Sequence, residues 1–188
     1  MKDIANTPLV SIICSTYNHG LYISQCLDGF LMQKTNFPFE ILIHDDASTD
    51  NTPDIIREYE HNQPQVIRPI YQKENKYSKK EDIFAKYQCS RVRGKYIAIC
   101  EGDDYWIDPL KLQKQIDFLE NNPDYGMIYT TSKVYNQKEG KIEEEIIGRE
   151  FNGYIELLSG NCIPTLTSCI RSALVCLLYT SPSPRDCS

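Results

Sequence analysis

Short apolar runs alternate along this chain with segments in which apolar residues recur every three or four positions. The first pattern is typical of buried strands and the second of amphipathic helices. The predicted strands cover residues 9–14, 39–44, 66–71, 96–100 and 127–130. The predicted helices cover residues 23–31, a segment that begins at Thr52-Pro53, a segment that begins at Ile83, and a segment that follows Asp108-Pro109. This alternation predicts an α/β domain with a largely parallel sheet flanked by helices.

The remaining segments are less regular. Residues 73–80 are rich in lysine and are predicted to form a loop, and the charged residues 138–150 are predicted to form a solvated hairpin or loop. Residues 163–170 are predicted to form a further strand. Residues 177–186 resemble a sequencing-adapter read translated in frame, so we expect a domain over residues 1–174 and an artefactual or disordered tail over 175–188.

Composition narrows the class of protein. A chain of 188 residues with 41% hydrophobic and 24% charged residues can form one globular domain with a substantial core. The net charge of −6 argues against a nucleic-acid partner, which usually selects a basic face. The eight cysteines lie mostly in apolar runs without CxxC spacing, and nothing resembles a signal peptide or a membrane span. These features predict a cytoplasmic protein with buried, reduced thiols.

Three predicted strands end in polar clusters. The first is followed by Ser15-Thr16-Tyr17, the second by Asp45-Asp46 and the fourth by Glu101-Gly102-Asp103-Asp104. In open α/β sheets, ligands bind outside the carboxyl ends of the strands. We therefore expect these three clusters to form one site.

The Glu101–Asp104 cluster predicts a metal. Adjacent carboxylates repel one another, and hard divalent ions such as Mn²⁺ or Mg²⁺ are held by oxygen ligands that often share coordination with substrate phosphates. We predict that Glu101, Asp103 and Asp104 hold such an ion against a diphosphate. The alternative is a turn with an aspartate helix cap, but Asp108 already supplies a cap before Pro109.

The other polar residues have more than one interpretation. Asp46, with Asp45, can accept the imide N–H of a nucleotide base or form an Asx turn, and these two roles are compatible. Ser15, Thr16 and Tyr17 offer hydroxyls and an aromatic face to a base or ribose.

His19 and His44 could be ligands, but no matching spacing supports that role, and they are interpreted as loop or core histidines. The lysines of residues 73–80 could attract a diphosphate but are interpreted as a solvated face: Lys73, Lys76, Lys79 and Lys80. Trp106 has either a core or a sugar-stacking role.

Residues 10–18, 43–50 and 93–104, taken together, resemble the family 2 glycosyltransferases, which are inverting nucleotide-sugar enzymes with the Rossmann-like GT-A fold. The resemblance runs from about Pro8 to Ile170, and Glu101 stands where the family's DxD motif has its first aspartate. It implies that Asp46 reads the base and that Asp103 and Asp104 face the diphosphate and metal. The residues expected to bind the nucleotide are Ser15, Tyr17, Asp45, Asp46 and Asp103, and those expected to bind metal are Glu101, Asp103 and Asp104.

The resemblance also bears on catalysis. In this family the carboxylate that deprotonates the acceptor hydroxyl lies well past the strand that residues 165–170 resemble. The recognisable sequence ends near Leu174, so we expect the fold to be incomplete at its C-terminus and the general base to be absent. No catalytic residue is assigned for this reason.

These inferences predict the donor-binding portion of an inverting glycosyltransferase that uses a UDP-sugar and Mn²⁺ or Mg²⁺. The expected acceptor is a carbohydrate or a lipid-linked molecule, and the full enzyme would build a polysaccharide at the inner face of the membrane. A nucleotidyltransferase would need a glycine-rich phosphate loop, but residues 15–20 contain one glycine. A non-catalytic nucleotide- or metal-binding module remains the other alternative.

Overall fold

The computed structural model describes residues 7–151, 160 and 162–175. The strands are β1 (Val10–Thr16), β2 (Phe39–Asp45), β3 (Ile67–Tyr71), β4 (Tyr96–Ile99), β5 (Met127–Ile128), β6 (Ser132–Asn136), β7 (Lys141–Ile147) and β8 (Cys169–Arg171). The helices are α1 (Ile23–Leu31), α2 (Thr52–Asn62) and α3 (Lys111–Asn121). None of the helices in this described part of the chain combines the length and apolarity needed to cross a membrane.

Six strands form one sheet in the order β3-β2-β1-β4-β8-β5. Strands β3, β2, β1 and β4 run parallel, and β8 is antiparallel to both of its neighbours. Strands β6 and β7 pair as a separate hairpin, which is one of the two forms predicted for residues 138–150. The largely parallel α/β class is therefore confirmed.

The register of the central strands brings three polar clusters together. Thr16 pairs with Asp45 across β1 and β2, and Ile13 pairs with Ile99 across β1 and β4. Because parallel strands end at the same edge of a sheet, the segments that follow β1, β2 and β4 are neighbours. The predicted convergence of the strand ends is therefore present in the fold.

The core explains why these segments form these elements. The helices α1, α2 and α3 bury apolar residues of one face against the sheet, as the spacing predicts: Ile23, Leu27, Phe30, Ile56, Leu112, Ile116 and Leu119. Trp106 packs edge-on against Phe30, with ring centroids 4.8 Å apart, and its indole N–H donates to the Leu166 carbonyl. Trp106 is therefore a core residue, which was one of its two predicted roles.

The thiols follow the prediction for most of the described chain. Buried, free thiols are present at Cys14, Cys26, Cys100, Cys162 and Cys169, while Cys89 is partly exposed. Cys26 and Cys100 both place their sulfur against the Glu101 carbonyl oxygen, at 3.4 and 3.7 Å. The thiols of Cys26 in α1 and of Cys100 thus pack directly against the backbone of the acidic segment.

Two predictions about helices were wrong in detail. The helix expected from Ile83 is a π-helical turn, Phe84–Gln88, because the buried Gln88 amide donates to the Cys14 and Leu42 carbonyls of the sheet. Asp108 does not cap α3 as predicted, because the helix begins at Lys111 after Leu110, and the Asp108 carboxylate accepts the Leu110 N–H in a turn ahead of the helix.

The strand predicted for residues 163–170 is shorter than expected. A 3₁₀ turn, Thr165–Thr167, precedes β8, and the Thr167 hydroxyl donates to the Thr130 carbonyl in place of a backbone ladder. The strand predicted for residues 127–130 likewise ends at Ile128 rather than at Thr130. The predicted tail, residues 175–188, lies outside the described residues except for Val175, which packs against Ile13 and Ile97.

A buried carboxylate fixes the amino edge of the sheet. Glu40 on β2 is 1% exposed and accepts hydrogen bonds from the Ser11 hydroxyl at 2.7 Å and from the Arg93 guanidinium at 2.8 and 2.6 Å. The Ser11 hydroxyl in turn accepts the N–H of Gly94 at 2.9 Å. A side chain at Gly94 would not fit, because its Cβ would lie 2.6 Å from the backbone nitrogen of Ser11. One side chain thus joins β1, β2 and the segment that enters β4.

Replacing Glu40 by alanine should lower the free energy of unfolding by about 3 kcal/mol, because it leaves the guanidinium of Arg93 and the hydroxyl of Ser11 without their acceptor. Urea denaturation measures this change. Glu58→Ala on the exposed face of α2 is the matched control and should change the unfolding free energy by less than about 0.5 kcal/mol. Equal effects of the two substitutions would contradict the role given to Glu40.

Candidate functional site

The acidic segment after β4 is held by backbone hydrogen bonds to β1. The Cys100 N–H donates to the Ile13 carbonyl at 3.1 Å, and the Gly102 N–H donates to the Ser15 carbonyl at 3.0 Å. A turn then closes through the Asp104 N–H, which donates to the Glu101 carbonyl at 3.1 Å. The segment is therefore positioned by the sheet rather than by its own side chains, which are left free for a ligand.

Three carboxylates converge on this segment. Carboxylate oxygens of Glu101, Asp103 and Asp104 lie within 4.8 Å of one another. Among the described residues, no lysine or arginine forms an ion pair with any of the three. An all-oxygen, anionic set of this kind fits Mn²⁺ or Mg²⁺, so the predicted metal ligands are brought together.

Asp104 shows the electrostatic strain of this arrangement. Burial, together with the negative charges of Asp103 and Glu101, raises the pKa of its carboxyl to about 6. The ionised form of Asp104 is therefore disfavoured in the protein alone. A divalent cation among the three carboxylates would remove this penalty.

Gly102 has no room for a side chain. A Cβ at this position would lie 2.7 Å from the Thr16 hydroxyl oxygen and 3.0 Å from Nδ1 of His19. The absence of a Cβ lets the acidic segment pack against the residues that follow β1. Glycine is therefore required here by close approach rather than by backbone conformation.

The loop after β1 is held by the loop after β2. Asn18 has a left-handed backbone, with φ of 56°, and its N–H donates to the Ser48 hydroxyl at 2.8 Å. Its side-chain oxygen accepts the Thr49 N–H at 2.8 Å, and the Asp50 carboxylate accepts the Gly20 N–H at 2.9 Å. Residues 48–50 thus fix the geometry of the Ser15–Gly20 segment.

Asp46 is buried, and its carboxylate accepts hydrogen bonds from the backbone of a later loop. Its two carboxylate oxygens accept the N–H groups of Lys76 and Tyr77, at 2.7 and 2.9 Å. The side chains of Lys76 and Lys79 pair instead with Glu74. The lysine-rich segment, which the sequence predicts as a solvated loop, is therefore tied to the end of β2 by Asp46.

The other predicted nucleotide-binding residues lie at the same edge. Tyr17 is 43% exposed, and the carbonyl of Ser15 accepts the Gly102 N–H. Asp45 is buried and accepts the Ser48 N–H at 3.3 Å, and burial raises the pKa of its carboxyl. The Asp45–Ser48 hydrogen bond spans three residues and is therefore not an Asx turn, and the Asp46 carboxylate accepts the Lys76 and Tyr77 N–H groups instead of forming one.

Buried polar atoms without hydrogen-bond partners collect at this edge. Within the described residues they are the Thr16 hydroxyl oxygen, Nδ1 of His19, Nδ1 of His44 and one carboxylate oxygen of Asp45. Each such atom lowers the stability of the folded protein by about 1–3 kcal/mol. Their concentration at the ends of β1 and β2 therefore indicates that this edge is less stable than a fully hydrogen-bonded one. His44 is otherwise a core histidine that stacks on Tyr87, and burial lowers its pKa.

Sequence reasoning missed the placement of His19. Its Nδ1 lies 3.7 Å from a carboxylate oxygen of Asp103, although the two residues are far apart in the chain. Only the pairing of β1 with β4 creates this proximity, so no local sequence signal could have indicated it.

A cavity of about 670 Å³ opens beyond Asp103 and Asp104. Its walls are largely apolar and come from the segment after the acidic cluster, from β5 and from the β6–β7 hairpin. Residues that line it include Tyr105, Ile107, Ile128, Tyr135, Ile142 and Ile146. The acidic cluster therefore lies between the residues that follow β1 and a largely apolar space.

Comparison with known proteins gives a consistent result. Residues 11–178 match the protein family described as Glycosyl transferase family 2. The chain is 43% identical over 137 residues to an uncharacterized protein of Mycobacterium bovis, covering 72% of this chain and 38% of that protein. The chain thus spans well under half the length of this relative.

Two solved structures share the fold. A mannosyltransferase from Pyrobaculum calidifontis, in complex with GDP-Man and Mn²⁺, is 19% identical with a TM-score of 0.65, covering 94% of this chain and 48% of that one. S. aureus TarS in complex with UDP-GlcNAc is 20% identical with a TM-score of 0.65, covering 90% of this chain and 47% of that one. At these identities the likeness concerns the fold.

The raised pKa of Asp104 gives a test by pH. In EDTA, the contribution of Asp104 to stability should fall as pH rises from about 4 to 6, because the folded state holds a proton on Asp104 that the unfolded state has released. Asp104→Asn removes this loss and should be more stable than the unsubstituted protein by about 1 kcal/mol at pH 7.5, after allowance for solvent screening at a partly exposed group.

Urea denaturation at pH 4 and pH 7.5 measures both values. Asp124→Asn, on an exposed turn after α3, is the control and should track the unsubstituted protein at both pH values. A lower stability of Asp104→Asn at pH 7.5 would contradict the electrostatic account of the cluster.

Proposed function

Because the protein belongs to glycosyl transferase family 2, we propose that its strand-end site binds a UDP-sugar with Mn²⁺ or Mg²⁺ and transfers the sugar to an acceptor hydroxyl with inversion. The protein is a glycosyltransferase with a GT-A-type α/β fold. The observation that supports the metal-dependent form of this proposal is the convergence of three carboxylates within 4.8 Å of one another.

The carboxylates would bind the ion and face the diphosphate. When bound, the divalent cation would supply Lewis-acid stabilisation of the charge that develops on the departing diphosphate. Asp103 and Asp104 would provide the ligand oxygens nearest the cavity, with Glu101 as the third ligand. The backbone hydrogen bond from Gly102 to Ser15 would keep these groups beside the nucleotide segment.

The base and ribose would lie along the ends of β1 and β2. Tyr17 would offer its partly exposed ring and Ser15 its hydroxyl. Asp46 already accepts two backbone N–H groups, but a carboxylate has about four lone-pair sites and can accept the imide N–H of uracil in addition. Asp45 would contribute the oxygen that lacks a partner.

The choice of donor is supported by the solved structures with the same fold. One of them is a complex with UDP-GlcNAc, and another is a complex with GDP-Man and Mn²⁺. We propose a UDP-sugar because Asp46 is suited to the single imide donor of uracil. The sugar itself and its linkage are left open.

The acceptor, a carbohydrate or lipid-linked molecule, would approach through the apolar cavity beyond Asp103 and Asp104. We assign no general base, and we propose that residues 1–174 form the donor-binding domain. The enzyme would act in polysaccharide synthesis on the cytoplasmic side of a membrane, with which it would associate peripherally.

A thermal-shift panel tests donor binding. With Mn²⁺ present and UDP at 100 times its Kd, binding should add about 2.7 kcal/mol, which corresponds to a rise of roughly 5–10 °C in Tm for a protein of this size. UDP without Mn²⁺ should give a much smaller shift, and GDP and ADP should stabilise less than UDP. Asp104→Ala should abolish the metal-dependent part of the response.

Asp124→Ala is the control for this panel, because it removes an exposed aspartate outside the cluster and should respond like the unsubstituted protein. The absence of any response to nucleotide diphosphates would overturn the proposed function. Metal-dependent release of UDP from a UDP-sugar would separate an active enzyme from the alternative of a non-catalytic nucleotide-binding module.

A further inference from the structure

The backbone of His19 is held firmly at the entrance to α1. Its carbonyl oxygen accepts the N–H groups of Tyr22 and Ile23, both at 2.8 Å. Its ring lies edge-on to the ring of Tyr22, with centroids 6.2 Å apart. The side chain is 22% exposed, so the imidazole is confined between α1 and the acidic segment after β4.

The Nδ1 atom of His19 is buried and has no hydrogen-bond partner among the residues that the structure describes. The charged group beside it is the Asp103 carboxylate, with one oxygen 3.7 Å away. This separation exceeds the usual upper limit of an N–H···O hydrogen bond by about 0.5 Å, which a small rotation of the exposed Asp103 side chain can close. His19 thus has an unpartnered ring nitrogen beside a predicted metal ligand.

Gly102 makes this approach possible. Its missing side chain leaves Nδ1 of His19 close to the backbone of the acidic segment, where a Cβ would lie 3.0 Å from Nδ1. The Thr16 hydroxyl borders the same glycine. The absence of a side chain at Gly102 therefore allows the Asp103 carboxylate to lie next to the imidazole.

We propose that His19 is a positioning residue, which donates a hydrogen bond from Nδ1–H to Asp103 and so orients the other carboxylate oxygen toward the metal. This inference rests on the proposed function, since it needs a divalent ion at the cluster. A carboxylate with one oxygen held by a neutral donor loses less rotational freedom on binding a metal. Loss of such an outer hydrogen bond typically weakens metal affinity by 10–100-fold.

Titration of the full chain with Mn²⁺ alone, followed by the electron paramagnetic resonance signal of the free ion, tests this role without any turnover. His19→Ala should bind Mn²⁺ about tenfold more weakly than the unsubstituted protein. His19→Asn should recover most of the affinity, because its amide N–H takes the place of Nδ1–H. His61→Ala, an exposed histidine at the end of α2, should bind as the unsubstituted protein does.

The unfolding midpoint of each variant in EDTA separates metal binding from a general loss of structure. If His19→Ala binds Mn²⁺ within twofold of the unsubstituted protein, or if His19→Asn is no better than His19→Ala, His19 does not position Asp103. If His19→Ala fails to fold, the Mn²⁺ affinity of His19→Asn is compared with that of the unsubstituted protein: recovery of most of the affinity supports the role, and a loss of about tenfold contradicts it. Failure of the unsubstituted protein to bind Mn²⁺ would overturn the proposed function, and this inference with it.

Discussion

Repulsion among the carboxylates of Glu101, Asp103 and Asp104 is the constraint around which this structure is arranged. The three groups lie within 4.8 Å of one another, and burial together with the negative charges of Asp103 and Glu101 raises the pKa of Asp104 to about 6. Their backbone is nevertheless held in place by hydrogen bonds to Ile13 and Ser15 of β1. The sheet therefore supplies the stability that keeps an unfavourable charge cluster assembled, and the cluster is suited to a cation that would relieve it.

The two edges of the sheet contribute differently to this arrangement. At the amino edge, Glu40 finds a complete set of donors from Ser11 and Arg93 and fixes the strands in register. At the carboxyl edge, buried polar atoms of Thr16 and Asp45 are left without partners. A fold that satisfies its polar groups at one edge and not at the other has its ligand site at the second edge.

Much of this organisation could be predicted from the sequence. The β-branched runs that became β1 and β2 are followed directly by polar residues, and parallel pairing is enough to bring those residues to one edge. The acidic cluster at Asp103 could also be predicted, because three carboxylates in a short segment repel one another and therefore indicate a bound cation. The family resemblance then predicts the fold and the family, both of which are confirmed.

What the sequence could not predict depends on contacts between distant segments. The π-helical turn at Phe84–Gln88 exists because Gln88 bonds to carbonyls of two strands, and local periodicity contains no trace of them. Asp46 is held by N–H groups about thirty positions further along the chain. His19 meets Asp103 only through the pairing of β1 with β4. In each case a polar group found its partner through tertiary structure.

The most direct test of the account is the position of the metal itself. Crystals grown with UDP and Mn²⁺ and measured at the manganese absorption edge would show the ion as an anomalous peak. The expected peak lies about 2.2 Å from oxygens of Asp103 and Asp104, and the diphosphate of UDP coordinates the same ion. The base of UDP is expected near Asp46. UDP bound at this edge without a metal peak, or a peak away from Asp103 and Asp104, would contradict the account.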